Sequence, residues 1–174
     1  LSLGQRPQGV VYAVPGDPFV AEATSPEIAR RAALLGLPLR VVNGVSFLEP
    51  VFTALSLDPY PRLSLVDAME LGVAHVAAFP PDVPALVAQV HSRLAAAEVK
   101  MTLMTVYPDE HPVTLVHAAG LPHQLVEQVS LYEIDRSDHI GLLTALYVPP
   151  LEVGTSFESF QEIVAHLRAP DGCP

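Results

Sequence analysis

The stretch VVYAVPGDPFVAEAT, residues 10–24, decides how we interpret the fold. The preceding glycine and the first five residues of this stretch (9–14) are apolar and rich in β-branched side chains, which is typical of a strand buried on both faces of a parallel sheet. The strand is followed at once by Pro15-Gly16-Asp17-Pro18. A plain tight turn capped by Asp17 explains these residues, although the backbone at Gly16 could also approach a ligand.

An alternation of strands and helices follows this turn. Residues 25–36 predict a helix with Ser25 as its N-cap, and residues 38–42 predict a second short strand. That strand ends in the turn Asn43-Gly44-Val45-Ser46, and residues 46–55 then resume helical spacing. Strands and helices that alternate through short connections are typical of a doubly wound α/β sheet. The turns after consecutive strands of such a sheet are expected to face one crevice.

The rest of the chain predicts further strands and helices of the same mixed kind. In chain order they are a strand and turn at 62–71, an amphipathic helix at 82–99, a strand at 100–108, a short helical segment at 111–120, an extended and antiparallel segment at 123–134, a buried strand at 141–151 and a final helix that opens with the capping box Thr155 and Glu158.

A change of character at residues 57–62, LDPYPR, indicates two lobes. We therefore predict the end of a first α/β lobe over residues 1–57 and a second α/β lobe over 58–153. Residues 154–174 are predicted to be a helix and a linker. A ligand cleft is expected between the lobes, at the carboxyl ends of the strands.

Composition excludes several classes of function. Of the 174 residues, half are hydrophobic and the formal net charge is −10, which argues against a surface for nucleic acid. No apolar run reaches the roughly 18 residues of a membrane span. The single cysteine, Cys173, cannot form an internal disulfide, so we expect a cytoplasmic location. The histidines are not spaced as metal ligands usually are, so we expect no metal site.

Four segments together resemble the tetrapyrrole (corrin/porphyrin) methylases, which use S-adenosylmethionine. They are the strand that runs into GDPF, the second turn NGVS, the segment TLMTVYP at 102–108 and HPVTLVHAAG at 111–120. The resemblance extends from residue 9 to about 150. The end of the chain, FQEIVAHLRAPDGCP, resembles the junction that leads into a MazG-type nucleotide pyrophosphohydrolase domain. The nearest likeness is thus to the methylase-like N-terminal domain of MazG fusion proteins.

The resemblance implies a fold, a cofactor and a set of contact residues. The fold would be two-lobed, with a partial Rossmann-like first lobe and a mixed-sheet second lobe. S-adenosylmethionine would lie in the cleft of a homodimer, and the substrate would be a small-molecule methyl acceptor, a tetrapyrrole by family default. Alignment of the acceptor with the methyl group would carry the catalysis, and no catalytic side chain is assigned. The implied cofactor contacts are Pro15, Gly16 and Asp17 on the methionine and ribose side with Val20 nearby, Ser46 and Phe47 from the second turn, and Tyr107 with Ala118 or Ala119 beside the adenine.

Two departures from the family pattern affect these expectations. Asn43 stands where the family usually has proline, and no glycine- and proline-rich loop precedes residue 9. We therefore expect a fragment truncated at both ends that is inactive by itself. The alternative to a methyltransferase domain is a non-catalytic module that binds a ligand or organises an adjacent nucleoside triphosphate pyrophosphohydrolase. A third alternative is another α/β nucleotide-binding domain.

Overall fold

The computed structural model describes residues 2–152, 154–169 and 172, and the chain divides into two compact units. Unit 1 is Leu1–Pro50 and unit 2 is Val51–Pro174. Cys173, on which the expected location rests, lies outside the described residues. The lobe boundary at residue 57 stays a prediction.

Unit 1 contains a 3₁₀ helix at Ser2–Gln5, helix α1 at Thr24–Leu34 and the start of helix α2 at Leu48–Leu55. The end of α1 is as predicted, because Gly36 follows it with φ +64° and the Leu37 N–H donates to the Ala32 carbonyl at 2.9 Å. The predicted N-cap was wrong. Ser25 lies within the first turn of α1, and the Glu22 carboxylate accepts the Thr24 N–H at 2.7 Å instead.

The two strands predicted in unit 1 are absent from the part of the unit that the structure describes. Residues 9–14 and 38–42 form no ladder, and they line a groove of about 740 Å³. Val11 and Val42 are 92% and 73% exposed. An apolar, β-branched run becomes a strand only when a neighbouring segment pairs with its backbone, and no such pairing is described for either segment although both line the same groove.

Unit 2 is built on one mixed five-stranded sheet, as the resemblance implied for the second lobe. The strands are β1 (Ser64–Asp67), β2 (Ala85–Ala88), β3 (Pro112–His117), β4 (Leu125–Ser130) and β5 (Thr144–Val148). Their spatial order is β1-β2-β5-β3-β4. β1 and β2 are parallel, whereas β2 with β5, β5 with β3 and β3 with β4 are antiparallel.

Helices and a 3₁₀ helix pack with this sheet around the core of unit 2. They are α3 (Ala68–Val73), α4 (Arg93–Leu103) and the 3₁₀ helix Leu131–Arg136. The core is formed by large apolar side chains from the strands and these helices, including Leu71, Val87, Val99, Leu103, Val113, Leu115, Leu131, Ile134 and Leu146. An ion pair of 2.6 Å between Lys100 and Asp135 ties α4 to the 3₁₀ helix.

The single helix predicted over residues 82–99 was wrong. Ala85–Ala88 is β2, whose first three residues are wholly buried, and α4 begins only after Ser92. The Ser92 hydroxyl accepts the Ala95 N–H at 3.1 Å and so caps α4. A short apolar run that is buried on both faces has no alternation to separate it from a buried helix, which is why the two elements were merged.

The predictions for residues 100–108 and 111–120 were also wrong. Residues 100–108, predicted as a strand, contain the last residues of α4 and the turn after it. Residues 111–120, predicted as helical, contain β3. Five of the six residues of β3 are buried, so apolar side chains lie on both faces and the sequence lacks the alternation of a half-exposed strand.

The remaining elements of unit 2 were predicted in the correct places. β1 lies within 62–71, although α3 rather than a turn follows it, and β4 lies within 123–134. β5 ends before Pro149 and Pro150, as expected. The final helix α5 is Phe157–Leu167, but its cap is Ser156 rather than Thr155, since the Ser156 hydroxyl accepts the Ser159 N–H at 3.0 Å.

Candidate functional site

The two predicted cofactor turns of unit 1 are joined by the carboxylate of Asp17. Its Oδ1 accepts the Phe19 N–H at 2.8 Å within the first turn. Its Oδ2 accepts the N–H of Gly44, 27 residues further along the chain, at 3.2 Å. Asp17 therefore does more than cap its own turn, because it also fixes the second turn beside it.

Glycine is required on both sides of this contact. Gly16 has φ +81°, a conformation that residues with a side chain rarely adopt. A Cβ atom on Gly44 would lie 2.0 Å from the carbonyl oxygen of Gly16. The backbones of the two turns thus touch directly, and no side chain separates them.

The other predicted contacts in unit 1 have different surroundings. Ser46 is buried, and its hydroxyl accepts the Leu48 N–H at 3.1 Å while donating to the Glu49 carboxylate. This hydrogen bond lowers the pKa of Glu49 and completes the cap of α2. Pro15 and Phe47 are exposed and Val20 is half-buried. Ser46 therefore caps α2, whereas Phe47 is partly exposed, at 37%.

Tyr107 lies in the core of unit 2. Its ring packs on Phe79 and His111, with ring centroids 6.4 and 5.0 Å away, and its hydroxyl donates to the Pro81 carbonyl at 3.4 Å. Burial, together with the negative charge of Asp82, raises the pKa of Tyr107 to about 12. Its predicted contact with the adenine stays a prediction.

Ala118 lies at the mouth of a pocket of about 510 Å³ in unit 2. It follows β3 with φ +49°, and its N–H donates to the Leu143 carbonyl at 2.9 Å. The pocket is lined by apolar and imidazole side chains and by backbone, from His117, Ala118, His123, Leu125, His139, Gly141, Leu142, Leu143 and Thr144. Ala119, half-buried, comes next in the chain, and Tyr107 does not line this pocket.

A polar cluster that the sequence did not predict borders this pocket, and two of its members, His117 and Thr144, line it. The buried imidazole of His117 contacts Thr144 Oγ1 at 3.0 Å through Nδ1 and Glu127 Oε2 at 2.8 Å through Nε2. Ser137 Oγ donates to the same Glu127 oxygen at 2.5 Å. Burial raises the pKa of Glu127, but the hydrogen bonds from Ser137 and His117 outweigh it, so the pKa is lowered overall.

A signal for this cluster was present in the sequence. When residues 112–117 are taken as a strand, the period of two places His117 on the same face as Val113 and Leu115. A histidine that ends a buried strand face needs polar partners, and the neighbouring strands must provide them. The helical interpretation of this segment concealed the pattern.

Metal-binding clusters and membrane-spanning helices are both missing from the described part of the chain. Within it, no group of three or more His, Cys, Asp or Glu side chains could hold a metal ion. Among the helices described, none is long and apolar enough to cross a membrane.

Comparison with known proteins assigns the family. The sequence model of the tetrapyrrole (corrin/porphyrin) methylases matches residues 3–135, which include both joined turns and Ala118. The chain belongs to the tetrapyrrole methylase family. A curated relative, the uncharacterized protein YabN of Bacillus subtilis (strain 168), is 36% identical over 178 residues. That alignment covers 97% of this chain but 35% of YabN, so the chain spans about a third of the relative's length.

Solved structures of methylase-family enzymes share the fold. Uroporphyrin-III-C-methyltransferase from Thermus thermophilus superposes with a TM-score of 0.59 at 22% identity, over 77% of this chain and 60% of that one. A diphthine synthase gives a TM-score of 0.59 at 20% identity, over 86% of this chain and 63% of that one. At these identities the likeness to the two structures shows the mixed α/β fold alone.

Proposed function

We propose that this chain is an S-adenosylmethionine-dependent methyltransferase domain of the tetrapyrrole methylase type. The observation that carries the proposal is the Asp17–Gly44 hydrogen bond, which joins the two turns that the family resemblance assigns to the cofactor. Two turns distant in sequence, with their backbones in direct contact, suit a preformed binding wall.

The residues present fit such a cofactor. Gly16 offers backbone without a Cβ in the first turn, and the Ala118 pocket of about 510 Å³ is within the size range of small-molecule sites. Its apolar and backbone lining suits the flat, weakly polar face of an adenine. The resemblance assigns Gly16 and Asp17 to the methionine and ribose side and Ala118 to the adenine.

The chemistry asks little of acid or base groups in the protein. The bound sulfonium supplies an already activated methyl group, so what the chain contributes is binding and orientation. Rigid backbone turns are suited to this task, because they lose little conformational freedom when a ligand binds. This agrees with a site built from glycine, alanine and one carboxylate.

The wider setting of the domain is also part of the proposal. The acceptor would be a small molecule, with a tetrapyrrole as the family default, and the domain would work as a cytoplasmic homodimer. It would stand beside a MazG-type domain in a longer polypeptide. YabN extends well beyond the aligned part, which agrees with a longer polypeptide. Sedimentation velocity on the purified chain tests the dimer, and a single monomer species at micromolar concentration would contradict it.

Calorimetric titration with S-adenosylmethionine and S-adenosylhomocysteine tests the cofactor. We would titrate the 174-residue chain and a form that includes whatever residues its gene encodes before Leu1. Saturable binding to either form supports the proposal. No heat and no thermal stabilisation with both forms would contradict it, and would favour the non-catalytic module as the function.

Asp17→Ala provides a residue-level test of the same proposal. Loss of the carboxylate removes the hydrogen bond to the Gly44 N–H and the acceptor proposed for the cofactor, so we expect S-adenosylhomocysteine to bind about tenfold more weakly, the equivalent of roughly 1.4 kcal/mol. The melting temperature should stay nearly unchanged. Asp58→Ala is the matched control, because Asp58 accepts the Tyr60 N–H at 3.0 Å in a similar local turn. A large loss of stability with unchanged affinity would make Asp17 a structural residue only.

A further inference from the structure

His117 ties together three strands at the end of the sheet where the Ala118 pocket opens. It is the last residue of β3 and is 5% exposed. Thr144, the first residue of β5, lies directly opposite it in the ladder, and Glu127 lies on β4. The imidazole bonds to both side chains, at 3.0 and 2.8 Å. One side chain therefore fixes β3 against both of its neighbours.

The same cluster fixes the loop between the 3₁₀ helix and β5. At the start of this loop, Ser137 Oγ donates to Glu127 and accepts the His139 N–H at 3.1 Å. At its end, the Gly141 N–H donates to Thr144 Oγ1 at 2.9 Å. The loop that carries Leu142 and Leu143 into the pocket wall is thus held at both ends by side chains bonded to the cluster.

Each side chain of the cluster has at least one hydrogen-bond partner within it. Thr144 Oγ1 accepts the Gly141 N–H and is bonded to Nδ1 of His117. Nε2 of the same imidazole is bonded to Glu127 Oε2, which also accepts the Ser137 hydroxyl. Such fully satisfied networks fix one arrangement of the chain, since any rearrangement leaves a buried polar group without a partner.

The turn beside this cluster needs to be held. Ala118 has a φ of +49°, a strained conformation for a residue with a Cβ. Its N–H donates to Leu143 and its carbonyl accepts the Leu121 N–H at 3.0 Å. Both anchors of the turn are next to members of the cluster, because Ala118 follows His117 and Leu143 precedes Thr144. The cluster therefore supports the two sides of the pocket wall at once.

We propose that Thr144, His117 and Glu127 are positioning residues that hold the Ala118 turn and the Leu143 loop as a preformed wall of the cofactor pocket. This rests on the proposed function, because it takes the pocket to be the place of the adenine. His117 and Thr144 also line the pocket, but the role proposed for all three side chains is exerted through the backbone at Ala118 and Leu143. They take no part in the transfer of the methyl group.

The test uses a pair of matched valine substitutions in the same sheet. Thr144→Val keeps the shape of the side chain but leaves His117 Nδ1 and the Gly141 N–H without partners. Thr114→Val makes the same change on β3 at a residue that is 8% exposed and does not line the pocket. We expect Thr144→Val to weaken S-adenosylhomocysteine binding by about tenfold, as one buried unsatisfied group would. Thr114→Val should leave the affinity unchanged.

Rescue and a milder variant complete the affinity test. Thr144→Ser restores the hydroxyl and should return the affinity to within about threefold of the wild-type value. If Thr144→Val does not fold, Ser137→Ala, which removes a half-buried hydroxyl from the cluster, should still weaken binding by about threefold. Equal losses in Thr144→Val and Thr114→Val, or no loss in Thr144→Val and Ser137→Ala, would overturn the proposal.

Amide hydrogen exchange separates this inference from the proposed function. The Leu121 N–H reports on the Ala118 turn without any ligand, and it should exchange at least tenfold faster in Thr144→Val than in Thr114→Val. If the wild-type chain binds no cofactor, the proposed function fails and the role in cofactor binding fails with it. Faster exchange in Thr144→Val would then leave the cluster as a support of the turn alone, and equal exchange would overturn that role as well.

Discussion

Gly44 is a residue at which the absence of a side chain decides the local structure. A Cβ there would lie 2.0 Å from a backbone oxygen, and the backbone cannot move aside as a flexible side chain could. We expect Gly44→Ala to lower the free energy of unfolding by about 1–3 kcal/mol, the usual cost of forced overpacking. Urea unfolding followed by circular dichroism measures it.

Gly4→Ala is the control for this prediction. A Cβ on Gly4 would meet only Val10 Cγ1, at 3.9 Å, which is an ordinary contact. The change should stay within about 0.5 kcal/mol of the wild-type stability. Equal unfolding midpoints for Gly44→Ala and Gly4→Ala would show that the two turns separate without cost.

Tyr107 makes the stability of unit 2 sensitive to alkaline pH. Its pKa is about 12 in the folded chain against 10.0 for an ordinary tyrosine, because burial and Asp82 disfavour the phenolate. Between these values the unfolded chain gives up the proton while the folded chain keeps it. The free energy of unfolding therefore falls as pH rises above about 10, by up to about 1.4 kcal/mol per pH unit.

Tyr107→Phe should remove this part of the pH dependence. Melting temperatures between pH 8 and 11 would fall less steeply in Tyr107→Phe than in the wild type. A smaller dependence should remain from Tyr147, whose pKa is also raised by burial. Tyr12→Phe, at a side chain 52% exposed, is the control and should follow the wild-type curve. Identical curves for all three proteins would contradict the assignment.

The site could be predicted from the sequence only where local turn chemistry carries it. Turns are predicted by the residue types of Pro15-Gly16-Asp17 and Asn43-Gly44. In the structure, the carboxylate of Asp17 joins the two turns. His117 and Thr144 come together through strand pairing across 27 residues, which no local pattern contains. Their roles follow from the register of the sheet.

At the scale of elements, α5 was predicted in the correct place, but the residue predicted to cap it was wrong by one position. Ser156 Oγ accepts the Ser159 N–H and donates to Asp82 at 2.8 Å, whereas Thr155 Oγ1 donates to the Glu152 carbonyl at 2.8 Å. We expect Ser156→Ala to destabilise the chain by about 1 kcal/mol, the usual cost of a lost N-cap.

Thr155→Ala, one residue away, is the matched control in thermal unfolding. Its hydroxyl is outside the cap, so its removal should change stability by no more than about 0.5 kcal/mol. A larger loss of stability for Thr155→Ala than for Ser156→Ala would instead support Thr155 as the cap, as the sequence predicted.

Elements were predicted well where capping residues or prolines mark their ends. They were predicted poorly where burial on both faces removes the alternation of apolar and polar residues. α5 and β5 are bounded by a polar cap and by two prolines, and both were placed correctly. β2 and β3 are central strands with apolar side chains on both faces, and both were mistaken for helices. In such strands the deciding information is the pairing partner, which lies elsewhere in the sequence.

At the scale of the whole molecule, the two units differ in how much side chain they bury. Among the described residues of unit 1, only Ser25, Ala32 and Ser46 are buried, whereas unit 2 contains the large apolar core. α1 and α4 have eleven residues each, but α1 buries two of them and α4 buries five. Helices of equal length thus have unequal tertiary support.

Native-state hydrogen exchange should resolve this difference. Because amides open most readily where few apolar contacts hold them, we expect those of α1 to exchange at least about 100-fold faster than those of α4. The equal lengths of the helices make α4 the internal control. Similar protection in the two helices would show that unit 1 is as stable as unit 2.

The family could be recognised although two strands of the first lobe were predicted where the structure describes none. Recognition rested on four short segments, two of them turns, and the family assignment over residues 3–135 confirms it. The two strands were predicted from the composition of residues 9–14 and 38–42, but a strand also needs backbone pairing, and none is described for either segment. Motifs survive in such a case because they depend on a few adjacent residues.

The contact between the two turns also limits how this sequence can vary. Position 44 must supply an N–H to Asp17 and must lack a Cβ, which rules out proline by the first condition and every other side chain by the second. Position 43 is under neither restriction from this contact, and it is here that the chain carries asparagine instead of the proline usual in the family. Anyone redesigning the turn has freedom at residue 43 and none at residue 44.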